Sequence, residues 1–183
     1  MWAHPTVIGR GWVLTVLLGF PFVVSAMRRR GSASGGRIAL AGLSFLYVVA
    51  VLAVTIFPIF VAPPAWRADE HWWEMLRLIP FWVPPIGFVL NIVMFLPFGV
   101  LLPLLWPATG TRRRMFWWGL AASATIELSQ FAMWVTLGNR RMVDVNDLMS
   151  NTAGAVLGLM LLRVFVPAGQ DWDEPALTTS TRP

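Results

Sequence analysis

The chain has no cysteine, a single tyrosine and two histidines, and only 13% of its residues are charged. Without thiols there are no disulfides, thiol nucleophiles, iron–sulfur clusters or thiolate zinc sites. Lysine is missing too: all 14 basic residues are arginine, against 9 acids. The resulting net charge of +5 suggests nucleic acid only until the arginines are placed. They fall in short segments between long apolar runs, a pattern that suits membrane orientation and not a continuous phosphate-binding groove. The scarcity of charge is itself decisive. With 57% apolar residues among 183 and a mean hydropathy of +0.66, this is no ordinary soluble domain.

What is abundant is hydrocarbon. A bilayer core of about 30 Å needs roughly 20 mostly apolar helical residues. Five runs of that length emerge, at about residues 7–27, 38–60, 85–106, 115–137 and 147–166. Arg28, Arg29 and Arg30 follow the first run, the reverse of a signal peptide's charge order, so it reads as an uncleaved helix. Residues 66–82 place Glu70, Glu74 and Arg77 at helical spacing among Trp72, Trp73, Met75, Leu76 and Ile79, which predicts an interfacial helix, either a cap on the bundle or a lid. The acidic, Thr/Ser/Pro-containing stretch 168–183 predicts a disordered tail. The expected fold is an all-α membrane protein, a bundle of about five transmembrane helices with one short extracytoplasmic interfacial helix.

Arginine counts orient it. With the amino terminus outside, the inner segments hold Arg28, Arg29, Arg30, Arg37, Arg112, Arg113, Arg114, Arg163 and Arg182, and the outer ones Arg10, Arg67, Arg77, Arg140 and Arg141. The excess favours amino terminus out and carboxyl terminus cytoplasmic. Trp106, Trp117 and Trp118 near the inner surface, and Trp12, Trp66, Trp72, Trp73, Trp82 and Trp134 near the outer, agree with that orientation.

The informative positions are the polar exceptions. Glu127 lies mid-run, where an ionised acid costs roughly 2.5–3.5 kcal/mol even on a lenient scale, so it must face protein. Ser123, Glu127, Gln130 and Trp134 share one helical stripe. The fifth run opens with Asp144, Asp147, Asn151, Gly154 and Gly158 at spacings of three or four. There Asp147 suits a helix start, and Ser150, Gly154 and Gly158 suit close helix packing. Asn91 precedes Pro97, which has no N–H and predicts a kink. At about 1.5 Å per residue Glu127 lies roughly 15 Å below the outer end of its helix, and Asn91 and Asn151 roughly 6–9 Å below theirs. Arg140 and Arg141 hang above and are placed to pair with Glu127, Asp144 or Asp147. The expectation is an outward-facing polar pocket; the competing one is an internal hydrogen-bond lattice that locks the bundle.

These residues carry a resemblance. Asn91-x3-Phe95-x-Pro97-x-Gly99, Glu127-x2-Gln130, Arg140 or Arg141, and Asp144-x2-Asp147-x3-Asn151-x2-Gly154-x3-Gly158, with Ile79-Pro80-Phe81 ahead of them, resemble the VanZ-like family of bacterial integral membrane proteins. The likeness covers residues 38–166. It leaves residues 1–37 as an amino-terminal transmembrane helix with a basic cytoplasmic loop, and 167–183 as the tail. It implies a small helical membrane domain in the bacterial cytoplasmic membrane, in a family associated with resistance to the glycopeptide teicoplanin. It marks Asn91, Glu127, Gln130, Asp144, Asp147 and Asn151, with Arg140 or Arg141 and preferably Arg141, as the motif positions, and together with the pocket expected above these eight are the candidate ligand-binding set.

Four functions compete. One is an envelope protein that binds or modulates a lipid-linked cell-wall precursor or an amphipathic antibiotic. Another is an enzyme on such a precursor with Glu127 as general acid or base. The third is a small transporter or flippase, which five helices without repeats would support only as an oligomer. A purely structural partner in a membrane complex is the fourth and blandest. No nucleophile constellation is present, His4 and His71 lie outside the pocket, and no cofactor or metal motif is recognisable. The partners expected are the bilayer and a membrane-borne amphiphile, not nucleic acid.

Overall fold

The computed structural model describes residues 6–9, 11, 18–29, 34–63, 71–139 and 141–166. Five α-helices dominate it: α1 (Phe20–Arg29), α2 (Gly35–Thr55), α3 (Pro85–Leu105), α4 (Arg112–Leu137) and α5 (Val145–Phe165). Two small sheets connect them. β1 (Thr6–Ile8) pairs antiparallel with β2 (Ile59–Val61), and β3 (Leu76–Arg77) pairs in parallel with β4 (Val143–Asp144).

Among the described residues three helices, α2, α3 and α5, are long and apolar enough to cross a membrane. Length and composition therefore leave the expectation of about five unconfirmed. α1 has ten residues, about 15 Å of helix and half a bilayer. The reading of 7–27 as one helix fails at its start, because Val7 and Ile8 are strand residues facing Phe60 and Ile59; Gly9 and Gly11 follow and oppose helix propagation. Residues 12–17 of that run lie outside the described residues. α4 is long enough, at 26 residues, but begins with three arginines and carries the polar stripe. The second run stops early, at Thr55, because Pro58 cannot continue the helix; Ile59 and Phe60 go to β2 instead.

The interfacial-helix reading is overturned within residues 71–82; residues 64–70, and the tail beyond 166, lie outside the described residues. Trp72–Met75 is one 3-10 turn, after which Leu76–Arg77 extends to pair with Val143–Asp144. Strand pairing and the prolines at 80, 84 and 85 outweigh the helical spacing of the charges. Phe81 follows Pro80 with a left-handed φ of 62°, unusual for an aromatic residue.

α3 and α5 pack most extensively, with α4 against α5 next. Contacts rise together along α3 and α5 (Asn91 with Asp147, Leu96 with Gly158), so these helices run parallel, and α4 runs against both. Glycine explains the closeness. A Cβ on Gly154 or Gly158 would fall on the carbonyl of Ile92 or Leu96, and one on Gly99 would fall on that of Ala155. Phe95, Met115, Ala155 and Leu159 form the core between the three helices. α2 is attached more loosely, by Tyr47 Oη donating to Met94 O at 3.0 Å.

Candidate functional site

α4 ends at Gly138, whose φ of 69° closes the helix in the left-handed conformation. The chain then turns back down beside α4, so that α5 starts level with Glu127, ten residues or about 15 Å before the α4 end. Asp144 N–H donates to Glu127 Oε2 at 3.0 Å. Glu127 is thus buried, 6% exposed, against the chain that enters α5.

Asp144, not Asp147, is the N-cap. Its Oδ1 accepts from Asn146 N at 2.8 Å and from Asn146 Nδ2 at 2.7 Å. Asp147, three residues into the helix, uses Oδ1 to accept from Asn91 Nδ2 at 2.6 Å. Ser123 Oγ donates to Asp147 O at 3.4 Å and accepts from Asn151 Nδ2 at 3.0 Å. Asn91, Glu127, Asp144, Asp147 and Asn151 are therefore gathered at one end of the α3–α4–α5 core, as the sequence led us to expect.

Gln130 and Arg141 belong to a second, adjoining junction. Gln130 Nε2 donates to Thr55 O at 2.9 Å. Arg141 Nη1 and Nη2 donate to Val54 O and Phe57 O at 3.1 and 2.9 Å, closing the carboxyl end of α2. The expected pairing of Arg141 with the acids is thus replaced: free carbonyls at a helix end are what its guanidinium satisfies. Burial pushes the guanidinium below its ordinary pKa. Arg140 lies outside the described residues. Arg77 instead is brought beside the acids by the backbone, its strand position pairing with Asp144.

Two residues that sequence reasoning left out complete the cluster. Asn146, fully buried, donates through Nδ2 to Ile79 O at 3.1 Å and accepts at Oδ1 from Phe81 N–H, holding the 79–81 loop over the acids. Its signal was the Asp-Val-Asn-Asp run at a helix start, dense in capping residues. Arg77 lies where charge spacing predicts a helix and the chain instead forms a strand. Leu78, Ile79, Phe81 and Trp82 of that loop are all more than 60% exposed, so the roof of a polar cluster is a ridge of apolar side chains.

One buried acceptor remains open: Asn151 Oδ1 has no hydrogen-bond partner, in a side chain 2% exposed. Asn91 Nδ2, Ser123 Oγ, Asn146 Nδ2 and Asn151 Nδ2 all donate within the protein, so the arrangement is a lattice with an unfilled acceptor. Among the described residues no group of three His, Asp or Glu side chains is placed to hold a metal ion.

Apolar spanning helices around a buried carboxylate cluster define a helical integral membrane protein. The VanZ/LLP1 family model matches residues 44–166 of this chain, two thirds of its length, and the chain belongs to that family. No curated protein and no solved structure matches it.

Proposed function

We propose that this chain is an envelope-membrane protein that binds a lipid-linked or amphipathic molecule at the Glu127–Asp147 end of the bundle. α4 crosses the bilayer together with α2, α3 and α5, and the bound end faces the outside. Arginine placement supports the orientation: Arg37, Arg112, Arg113, Arg114 and Arg163 lie at the opposite end of these helices, and only Arg77 and Arg141 of the described residues lie at this one.

The observation that carries the reading is the unpartnered Asn151 Oδ1, one turn from Asp147 and beneath the exposed 78–82 loop. An acceptor buried without a donor costs about 1–3 kcal/mol, which a ligand donor would recover. The surrounding carboxylates make the site electronegative, and Arg141 is committed to α2. The favoured head group therefore carries hydroxyl, amide or ammonium donors, while the loop's Phe81 and Trp82 lie along its hydrocarbon.

The test is a photo-crosslinking residue in place of Trp82 in full-length protein held in native membrane discs, with captured lipids identified by mass spectrometry. We expect one class of donor-rich amphiphile, lost in Asp147→Asn/Asn151→Leu protein that keeps its thermal unfolding transition. Capture of the same species in the same yield by that variant would sink the proposal.

A further inference from the structure

A second candidate site lies toward the other end; it rests on the reading above only in that α4 crosses the bilayer, not on any ligand at the acidic end. A groove of about 440 Å³ runs between α4 and α5, with Phe116 and Leu120 on one wall and Leu148, Met149, Ala153 and Val156 on the other. That volume is within the range of small-molecule sites, about 300–1,000 Å³. Thr152, its one hydroxyl, already donates to Leu148 O at 2.7 Å, so the lining is effectively hydrocarbon. Leu148 to Val156 covers about 12 Å of a helix apolar enough to cross a membrane.

The groove has a charged end. Arg112 and Arg113 precede Phe116 by four and three residues, so their side chains leave α4 on either side of its azimuth. Both are exposed, and neither is in a hydrogen bond or ion pair through its side chain among the described residues. Arg114 differs: its Nη1 donates to Ala108 O at 2.7 Å. The two free guanidinium groups stand in the first turn of a 26-residue helix, at the positive end of its dipole. Trp106, Trp117 and Trp118, within six residues of Arg112 in sequence, are all exposed, the first and last with ring centroids 5.2 Å apart, which marks headgroup depth.

A hydrocarbon slot leading to paired cations at headgroup depth has the polarity order of one kind of molecule. We propose that it binds an anionic phospholipid, with the phosphate between Arg112 and Arg113 and one acyl chain along Phe116, Leu120 and Ala153.

The test reconstitutes full-length protein in discs of phosphatidylcholine doped with phosphatidylglycerol, extracts it in mild detergent and counts retained lipid by native mass spectrometry. Phosphatidylglycerol should be retained in preference to phosphatidylcholine, less so as salt rises. Arg112→Gln/Arg113→Gln should cut that preference roughly 30-fold, about fivefold for each guanidinium. Arg112→Lys/Arg113→Lys should keep most of it, and Ala153→Phe, which fills the slot, should lower retention with both arginines in place. Equal retention by the glutamine variant, loss in the lysine variant as complete as in the glutamine one, or no effect of Ala153→Phe would overturn the proposal. So would a wild-type dimer that Ala153→Phe dissociates, because a second copy would then occupy the groove.

Discussion

Asn91 Nδ2 stands 2.6 Å from Asp147 Oδ1, joining the second turn of α3 to the first turn of α5. The two helices are parallel, so this bond fixes their register at the end where the acids gather. Farther along, the same register brings Gly154 and Gly158 under the carbonyls of Ile92 and Leu96. One polar contact and a row of absent side chains thus specify a single alignment.

Removing the amide from that bond strands a half-buried carboxylate. Asn91→Ala should lower unfolding free energy in detergent by about 2 kcal/mol, as hydrogen bonds to charged groups contribute roughly 1.5–3 kcal/mol. Asp147→Ala added to it should cost markedly less than the sum of the two single changes. Additive losses in a double-mutant cycle would show that the pair does not interact.

Asn146 ties three segments with one side chain. Asn146→Ala removes its bonds to Ile79, Phe81 and Asp144, at about 1 kcal/mol each. Hydrogen exchange should rise at Phe81, and proteolysis should appear within residues 78–82. Asn146→Asp should be worse than alanine, since it would set a second carboxylate beside Asp144.

Arg141 closes α2 through two carbonyls at once, a task that suits a planar guanidinium. Arg141→Ala should destabilise by about 3 kcal/mol and speed hydrogen exchange across residues 52–63, with α3–α5 exchange unchanged. Arg141→Lys should fall between the two, because one ammonium on a flexible stem holds both carbonyls less well.

Glycines in one helix predict opposite outcomes. Gly87→Ala meets nothing within 4 Å and should raise stability by about 0.5 kcal/mol through the unfolded chain's lost freedom. Gly99→Ala, twelve residues on, puts its methyl into the Ala155 backbone and should cost about 3 kcal/mol or more. Thermal unfolding of the two variants under one detergent condition compares them directly.

Much of the helical core was legible because hydrocarbon runs and polar exceptions are strong signals. The bounds of α3 and α5 fell within a few residues of expectation, and Asn91, Glu127, Asp147 and Asn151 came together because lipid leaves such side chains nowhere else to go. The failures share a cause. Val7–Ile8 and Leu76–Arg77 became strands, and Arg141 turned to α2, through pairing with segments distant in sequence, which no local periodicity records. The position of Asp144 beside Glu127 was hidden for the same reason: its N–H reaches Glu127 while Val143–Asp144 pairs with Leu76–Arg77.

The glycine contacts between α3 and α5 have a mechanical consequence. Main chain lies on main chain there, so axial sliding would drive carbonyls into one another, and the two helices behave as a single strut. α2 is moored to this strut and to α4 by side-chain bonds from Tyr47, Gln130 and Arg141. α3 and α5 are thus locked by main chain, while these bonds hold α2 through side chains that substitution can cut one at a time.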